Sequence, residues 1–239
     1  MPPHPIRVGL VVPSFRRDPG TAIAAARAAE AIGLDGVFVF DHLFPMGEPD
    51  RPAISCFPLL GALAAATTSV ALGPLVARVG LVPDAVLVNQ FATLARMAPG
   101  RVIAALGTGD SKSRPEHDAF GLAFPPADVR VAAMRSCAAE LVARGLEVWT
   151  SGRSAEAQAV AAPLGVSHNL WAVSPQAVAD ASARFTVTWG GPPPAADAIA
   201  AHVAALEAAG AAWAVYAPRR AARWPETVEL VGGAVRARR

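Results

Sequence analysis

Residues 21–42 read TAIAAARAAEAIGLDGVFVFDH and combine one predicted helix with one predicted strand. An alanine-rich run of helical period, Thr21 to Ile32, ends at Gly33, a residue type that commonly terminates helices. An apolar run, Gly36 to Phe40, follows at once and has the length and residue types of a buried strand. Such pairs of runs alternate along the chain, which is typical of repeated βα units around a parallel sheet.

Eight such units can be counted. The predicted strands are Ile6–Val12, Gly36–Phe40, Val70–Val76, Val102–Leu106, Glu147–Trp149, Ser167–Ala172, Phe185–Trp189 and Ala212–Tyr216. The predicted helices are Thr21–Ile32, Phe57–Ala66, Asp84–Met97, Ala127–Ala143, Ser154–Ala162, Pro175–Ala183, Ala195–Ala209 and Trp224–Val231. The length of 239 residues is close to the roughly 250 residues of one TIM barrel. We therefore expect an α/β protein, a (β/α)8 TIM barrel that forms a single domain over residues 1–239.

Composition narrows the class of protein. Hydrophobic residues make up 53% of the chain and charged residues 17%, which provides enough apolar surface for a large core. Apolar runs stay shorter than the roughly 20 residues of a membrane span, so we expect a cytoplasmic protein without membrane contact. The net charge of +2 does not favour nucleic-acid binding. Neither Cys56 and Cys137 nor the five histidines have metal-ligand spacing, and no metal site is expected.

Polar residues follow several predicted strands, at the end of the barrel where TIM-barrel active sites lie. The strand-to-helix loops there are long, notably Asp41–Cys56 and Thr108–Pro126. Asp41 and His42 come directly after the second strand, and a histidine in that position can transfer protons near neutral pH. The alternative is that Asp41 only caps the loop and His42 only bonds backbone groups.

Two further loops carry groups suited to anion binding. Gly107-Thr108-Gly109-Asp110 follows the fourth strand and offers flexible backbone with a carboxylate behind it. Thr150-Ser151-Gly152-Arg153 follows the fifth strand, where N–H groups, hydroxyls and a cation can converge on a phosphate. Each tetrapeptide alone is also compatible with an ordinary turn or helix cap. Trp149, Trp171 and Trp189 end strands five to seven and either wall an apolar pocket or pack at the barrel rim.

Pro74 lies inside the third predicted strand, Val70–Val76. Proline cannot donate to a strand ladder, so either the strand is distorted there or it ends at Gly73. A distorted barrel strand indicates a functional position.

In this order, the segments resemble the luciferase-like family of flavin- and deazaflavin-dependent oxidoreductases. The resemblance is carried by residues 36–42, 63–68, 70–73, 89–94, 100–102, 106–109 and 119–121. It covers residues 7–145 well and is thinner beyond Gly145, where residues 148–152 and 169–171 still match. The chain lacks the insertion that relatives usually carry between the fourth helix and the fifth strand.

The resemblance implies a planar redox cofactor at the carboxyl ends of the strands. It implies a cis peptide bond between Leu75 and Val76 beneath the ring, His42 as catalytic base and Asp110 as catalytic acid. The residues that it assigns to cofactor binding are Asp41, Leu75, Val76, Gly107, Thr108, Gly109, Ser151, Gly152, Arg153 and Asn169.

The leading hypothesis is reversible hydride transfer between coenzyme F420 and an unknown small organic substrate. The arginine-rich, lysine-poor composition resembles that of GC-rich bacteria, which commonly make this deazaflavin. Two alternatives stay open, an FMN-dependent monooxygenase and a noncatalytic flavin-binding barrel, the latter suggested by the missing insertion. Members of the family are often dimers, so a homodimer is also expected.

Overall fold

The computed structural model describes residues 5–218 and 224–236. Within them the strands are β1 (Arg7–Val11), β2 (Gly36–Val39), β3 (Ala71–Pro74), β4 (Ala77–Arg78), β5 (Ile103–Gly107), β6 (Glu147–Ser151), β7 (Ser167–Trp171), β8 (Val187–Gly191) and β9 (Ala211–Tyr216). The α-helices are α1 (Gly20–Ala31), α2 (Cys56–Ala66), α3 (Asp84–Met97), α4 (Arg114–Ala119), α5 (Ala127–Ala143), α6 (Ala155–Gln158), α7 (Ala161–Leu164), α8 (Pro175–Ser182), α9 (Ile199–Ala208) and α10 (Trp224–Arg236). Two 3₁₀ segments, Ser111–Ser113 and Ala196–Ala198, complete the list.

All strand pairs are parallel, and the strand order is β3-β2-β1-β9-β8-β7-β6-β5-β4. The first and last strands of this order, β3 and β4, are consecutive in the chain and separated only by Leu75 and Val76. A bridge between Leu72 and Val102 joins β3 to the segment that enters β5. Counted as one interrupted strand, β3 and β4 complete the eight strands of a (β/α)8 barrel, as predicted.

Several predicted boundaries are wrong. The seventh barrel strand begins at Val187 and not at Phe185, because the Phe185 amide donates to Ala181 at the end of α8. The predicted helix Ser154–Ala162 is two short helices, α6 and α7. The loop predicted over Thr108–Pro126 contains the helix α4.

The barrel has two apolar layers. Residues that point outward pack against the helices, for example Val37 and Val39 of β2. Residues that point inward fill the barrel, where Phe38 stacks on Trp149 at 5.3 Å between ring centroids and meets Trp213 edge-on at 5.7 Å. These large rings leave the lower barrel interior filled, so a ligand site has to lie nearer the carboxyl ends.

Charged side chains cover the amino end of the barrel. The Arg7 guanidinium contacts the Glu147 carboxylate at 3.0 Å and lies 4.5 Å from the Trp213 ring centroid. The Trp149 indole N–H donates to the same carboxylate at 3.1 Å. No helix within the described ranges is both long and apolar enough to cross a membrane.

Candidate active site

His42 lies just beyond the carboxyl end of β2, where its ring is mostly buried. Its Nδ1 lies 2.7 Å from Oε1 of Glu116, and its side chain is 18% exposed. The rings of Phe15 and Phe40 contact the imidazole at centroid distances of 6.0 and 6.2 Å. The contact with Glu116 was not expected from the sequence. It engages Nδ1 of the imidazole and does not involve Nε2.

Glu116 is the centre of a buried cluster of charges. Its carboxylate is 1% exposed and receives both terminal nitrogens of Arg78, Nη1 on Oε1 at 3.1 Å and Nη2 on Oε2 at 2.7 Å. The backbone N–H of Leu43 also donates to Oε2, at 2.7 Å. A two-pronged guanidinium pair of this kind fixes both partners in orientation.

Asp41 completes this cluster, and we call Asp41, His42, Arg78 and Glu116 the buried charge network. Oδ2 of Asp41 accepts the Arg78 backbone N–H at 3.0 Å, and its backbone carbonyl accepts Arg78 Nε at 2.9 Å. Burial raises the pKa of the Asp41 carboxyl above its ordinary value, although the Arg78 hydrogen bond and charge oppose this. Asp41 lies just beyond β2 and thus ties the end of this strand to β4 through Arg78.

The pKa of Glu116 is lowered to about 2. Burial acts in the opposite direction, but the hydrogen bonds and charges of His42 and Arg78 outweigh it. Glu116 is therefore ionised at neutral pH and can only accept hydrogen bonds. It follows that Nδ1 of His42 donates a hydrogen bond to Glu116.

The third barrel strand is interrupted as the sequence indicated. Leu75–Val76 is a non-prolyl cis peptide bond, so the predicted cis bond is confirmed. Pro74 still pairs with Val39 as the last residue of β3, so the distorted strand, and not an early strand end, is confirmed. Gly107 of β5 faces this break, since a Cβ on it would lie 2.3 Å from Val76 Cγ2. Leu75, Val76 and Gly107 are thus neighbours, as the predicted cofactor site requires.

The turn after β5 brings the next predicted residues to the same end of the barrel. Gly109 has φ of 64°, and the Thr108 carbonyl accepts Nε of Arg130 at 2.8 Å. Asp110, the predicted acid, is exposed, and its carboxylate caps the 3₁₀ segment by accepting the Lys112 N–H at 2.9 Å. It has no hydrogen bond to the buried charge network among the described residues.

The loop after β6 touches the turn after β5. A Cβ on Gly152, whose φ is 149°, would lie 3.5 Å from Thr108 Oγ1. The Ser151 hydroxyl donates to the Asn169 carbonyl at 3.1 Å. Arg153 is exposed, and no described side chain pairs with its guanidinium. The contact between the two loops brings Thr108, Ser151, Gly152 and Arg153 to one side of the barrel mouth.

His168 and Asn169 of β7 lie beneath this loop and support it. His168 is fully buried, with Nδ1 2.9 Å from Thr150 Oγ1 and Nε2 3.1 Å from the Gly152 carbonyl oxygen. Burial lowers the pKa of His168 to about 4, so the ring is neutral at neutral pH. The buried Asn169 amide donates to Thr188 Oγ1 at 3.0 Å.

The three tryptophans at strand ends have different surroundings. Trp149 is buried inside the barrel, and Trp189 packs in the outer layer with its indole N–H donating to the Val173 carbonyl at 2.9 Å. Trp171 lines a cavity of 380 Å³ at the barrel mouth, together with Phe15 and Phe40. The pocket-wall interpretation therefore holds for Trp171 alone of the three.

Sequence reasoning missed Arg78 and Glu116. Arg78 interrupts the apolar run that follows the third strand, and a buried charge requires a partner of opposite sign. Glu116 follows Ser113-Arg114-Pro115, and proline in the first turn is a common helix start. These signals point to a helix and a buried ion pair, but not to the contact with His42.

Comparisons with known proteins identify the family of the chain. A sequence profile described as luciferase-like monooxygenase matches residues 4–222. The F420-dependent glucose-6-phosphate dehydrogenase of Nakamurella multipartita is 36% identical over 158 residues, which are 64% of this chain and 43% of the relative. The chain thus spans less than half the length of the curated relatives that it matches.

Solved structures show the same fold. A structure titled F420-dependent secondary alcohol dehydrogenase in complex with an F420-acetone adduct superposes with a TM-score of 0.80 at 14% identity, over 99% of this chain and 100% of that one. The coenzyme F420 dependent tetrahydromethanopterin reductase of Methanopyrus kandleri superposes with a TM-score of 0.77 at 13% identity, over 98% of this chain and 99% of that one. With the profile covering most of its residues, the chain belongs to the luciferase-like monooxygenase family.

Proposed function

We propose that this chain is an F420-dependent oxidoreductase that transfers a hydride between F420 and a small organic substrate. The observation that carries the proposal is His42, held through Nδ1 by the ionised Glu116, at the mouth of a barrel whose third strand is interrupted between Pro74 and Ala77. The F420-dependent relatives in the comparisons support the choice of cofactor.

The loops after β5 and β6 fit a cofactor with an anionic tail. The backbone N–H groups of Gly109, Gly152 and Arg153 donate to no acceptor within the described part of the chain. The exposed Arg153 adds a cation, and the hydroxyl of Ser151 keeps its acceptor capacity. Unpaired amides and a guanidinium are the groups that bind phosphate in proteins. The proposed cofactor contacts are the same ten residues that the family resemblance assigns, of which Asp41 is the first in the chain and Asn169 the last.

Oxidation of an alcohol to a carbonyl removes a hydride from carbon and a proton from oxygen. When bound, F420 supplies the ring carbon that accepts the hydride and returns it in the reverse direction. His42 accepts the hydroxyl proton at Nε2 and donates it back on reduction, while Glu116 keeps the ring oriented. Asp110 remains the proposed acid, although its carboxylate caps the 3₁₀ segment in this structure.

The test is a comparison of cofactor binding and turnover. We expect F420 to bind more tightly than FMN in fluorescence titrations of the purified chain. For a substrate that the unchanged protein converts, His42→Ala should reduce kcat about 100- to 10,000-fold, which is the usual contribution of acid–base catalysis. Preferential FMN binding would favour a monooxygenase, and the absence of turnover with any donor would favour a noncatalytic barrel. Unchanged turnover in both His42→Ala and Asp110→Ala would contradict the roles proposed for these residues.

We also propose that residues 1–239 form one domain, that the protein is cytoplasmic, and that it forms a homodimer. The support is the family resemblance and the single alternating βα pattern along the chain. Size-exclusion chromatography with light scattering measures the oligomeric state directly.

A further inference from the structure

The cavity at the barrel mouth lies away from the proposed contacts of the cofactor tail. The cavity has a volume of 380 Å³ and is lined mainly by residues at or beyond the carboxyl ends of β1, β2, β7, β8 and β9. The proposed tail contacts lie at or beyond the carboxyl ends of β5 and β6. None of the ten residues proposed for cofactor binding lines it. A volume of this size is at the small end of ligand sites, so it has room for a second, small molecule beside the cofactor.

Ser14 is an unpaired polar group in the wall of this cavity. The residue is 2% exposed, and its backbone carbonyl is held by the amides of Arg16 and Ile54 at 3.0 and 2.8 Å. Its hydroxyl has no hydrogen-bond partner among the described residues. Buried hydroxyls are normally paired, so a ligand atom that bonded with Ser14 Oγ would relieve a defect of the free protein.

The rest of the described wall is apolar or already paired. Phe40 stacks with Phe15 at 5.9 Å and contacts Trp171 at 5.8 Å, which gives a continuous aromatic surface. The charged side chains that line the cavity near this surface are Glu48 and Arg51, and they pair with each other at 2.7 Å. Both lining charges are thus engaged with each other.

We propose that this cavity binds small, uncharged, largely apolar molecules that carry one hydroxyl or carbonyl group to hydrogen-bond with Ser14. Under the proposed function, on which this part rests, such alcohols or carbonyl compounds are the substrates. The phosphorylated sugar named for the curated relatives carries a dianionic group that this wall does not match. His42 lies against Phe15 and Phe40, two of the rings that form the wall.

The test uses a matched pair of probes on the full chain without cofactor. Benzyl alcohol and ethylbenzene have the same number of heavy atoms, but only the alcohol can hydrogen-bond. We expect both to change the tryptophan fluorescence saturably, and Trp171→Phe and Trp224→Phe, at two tryptophans that line the cavity, should each lose part of the change. Ser14→Ala should weaken benzyl alcohol binding by roughly 3- to 10-fold, the effect of one hydrogen bond, and leave ethylbenzene binding unchanged. Ser136→Ala, at an exposed position of α5, is the matched control.

Three other outcomes decide the remaining points. Saturable binding of glucose 6-phosphate in preference to benzyl alcohol would overturn the proposal, while leaving the F420 reaction intact. An equal loss of both probes in Ser14→Ala would also overturn it, because the hydroxyl would then matter only for shape. Ser14-dependent binding of benzyl alcohol without any F420 turnover supports the binding site and counts against the proposed function.

Discussion

One carboxylate, that of Glu116, accepts hydrogen bonds from an imidazole, a guanidinium and a backbone amide. Its folded pKa of about 2 lies below the ordinary value of 4.5, so the native state favours the ionised form. The corresponding stability is fully present above pH 4.5 and is lost as the pH falls from 4.5 towards 2. The shift corresponds to about 3 kcal/mol of unfolding free energy.

Glu116→Gln is expected to remove this acid-dependent component and to leave the Arg78 guanidinium buried without its counter-charge. Breaking such a buried pair costs about 3–5 kcal/mol. Urea unfolding at a series of pH values should show a lower free energy for the variant at neutral pH and a flatter acid limb. Glu140→Gln is the control, since Glu140 forms only an exposed pair with Arg144 and should change stability by less than about 1 kcal/mol.

Individual residues were predictable where local sequence restricts them. His42 and Gly107 follow apolar strands, and both lie at the barrel mouth because parallel strands end there together. Glu116 was not predictable as the partner of His42, because 74 residues separate the two and only the closed barrel brings them together. Asp110 has the right residue type after a strand, but its carboxylate is used in a local cap, and its proposed role stays a prediction.

Among the elements, the interrupted third strand depends on glycines that let strands approach closely. A Cβ on Gly73 of β3 would lie 2.2 Å from the backbone oxygen of Ile103, which cannot move without shifting β5. Gly73→Ala should therefore lower the unfolding free energy by about 1–3 kcal/mol or more through overpacking.

Gly61→Ala in α2 is the matched control for this substitution. Its Cβ would meet only the flexible end of Met97 at 3.4 Å, and alanine favours a helix interior over glycine by about 1 kcal/mol. Chemical denaturation should thus move the two variants in opposite directions. Equal stability of Gly73→Ala and the unchanged chain would show that β3 and β5 adjust freely.

β7 offers a second prediction through His168. Its pKa is lowered from 6.5 to about 4 by burial, so the unfolded chain binds a proton at a higher pH than the native state. Stability is therefore complete above pH 6.5 and falls by about 3 kcal/mol as the pH decreases to about 4. His168→Gln should lack this loss in unfolding curves, and a variant that retains it would assign the titration to another group.

Element boundaries show where sequence patterns stop being informative. The predicted helix Ser154–Ala162 divides near Ala159, because Pro163 has no N–H to donate and its ring conflicts with the carbonyl four residues earlier. Pro163 thus acts one turn upstream of its own position, where the alanine-rich pattern continues without a break. By contrast, the break in the third strand followed from Pro74 together with the family resemblance.

For the complete barrel, the alternation of apolar and alanine-rich runs was sufficient to predict eight strands. This pattern is repeated along the chain, so errors of two residues at single boundaries do not change the topology. The direction of large side chains was not predictable in the same way. Trp149 fills the barrel interior, and Trp171 lines the cavity, although both end predicted strands.

The covered amino end of the barrel affects how two ligands can exchange. The Arg7–Glu147 pair and the stacked rings above it fill that end, so traffic through the described part of the molecule uses the opposite opening. Because cofactor and substrate would both enter and leave through this opening, we expect them to bind and dissociate in an obligatory order. Product-inhibition patterns should show compulsory-order kinetics, whereas a random-order pattern would reveal a second route.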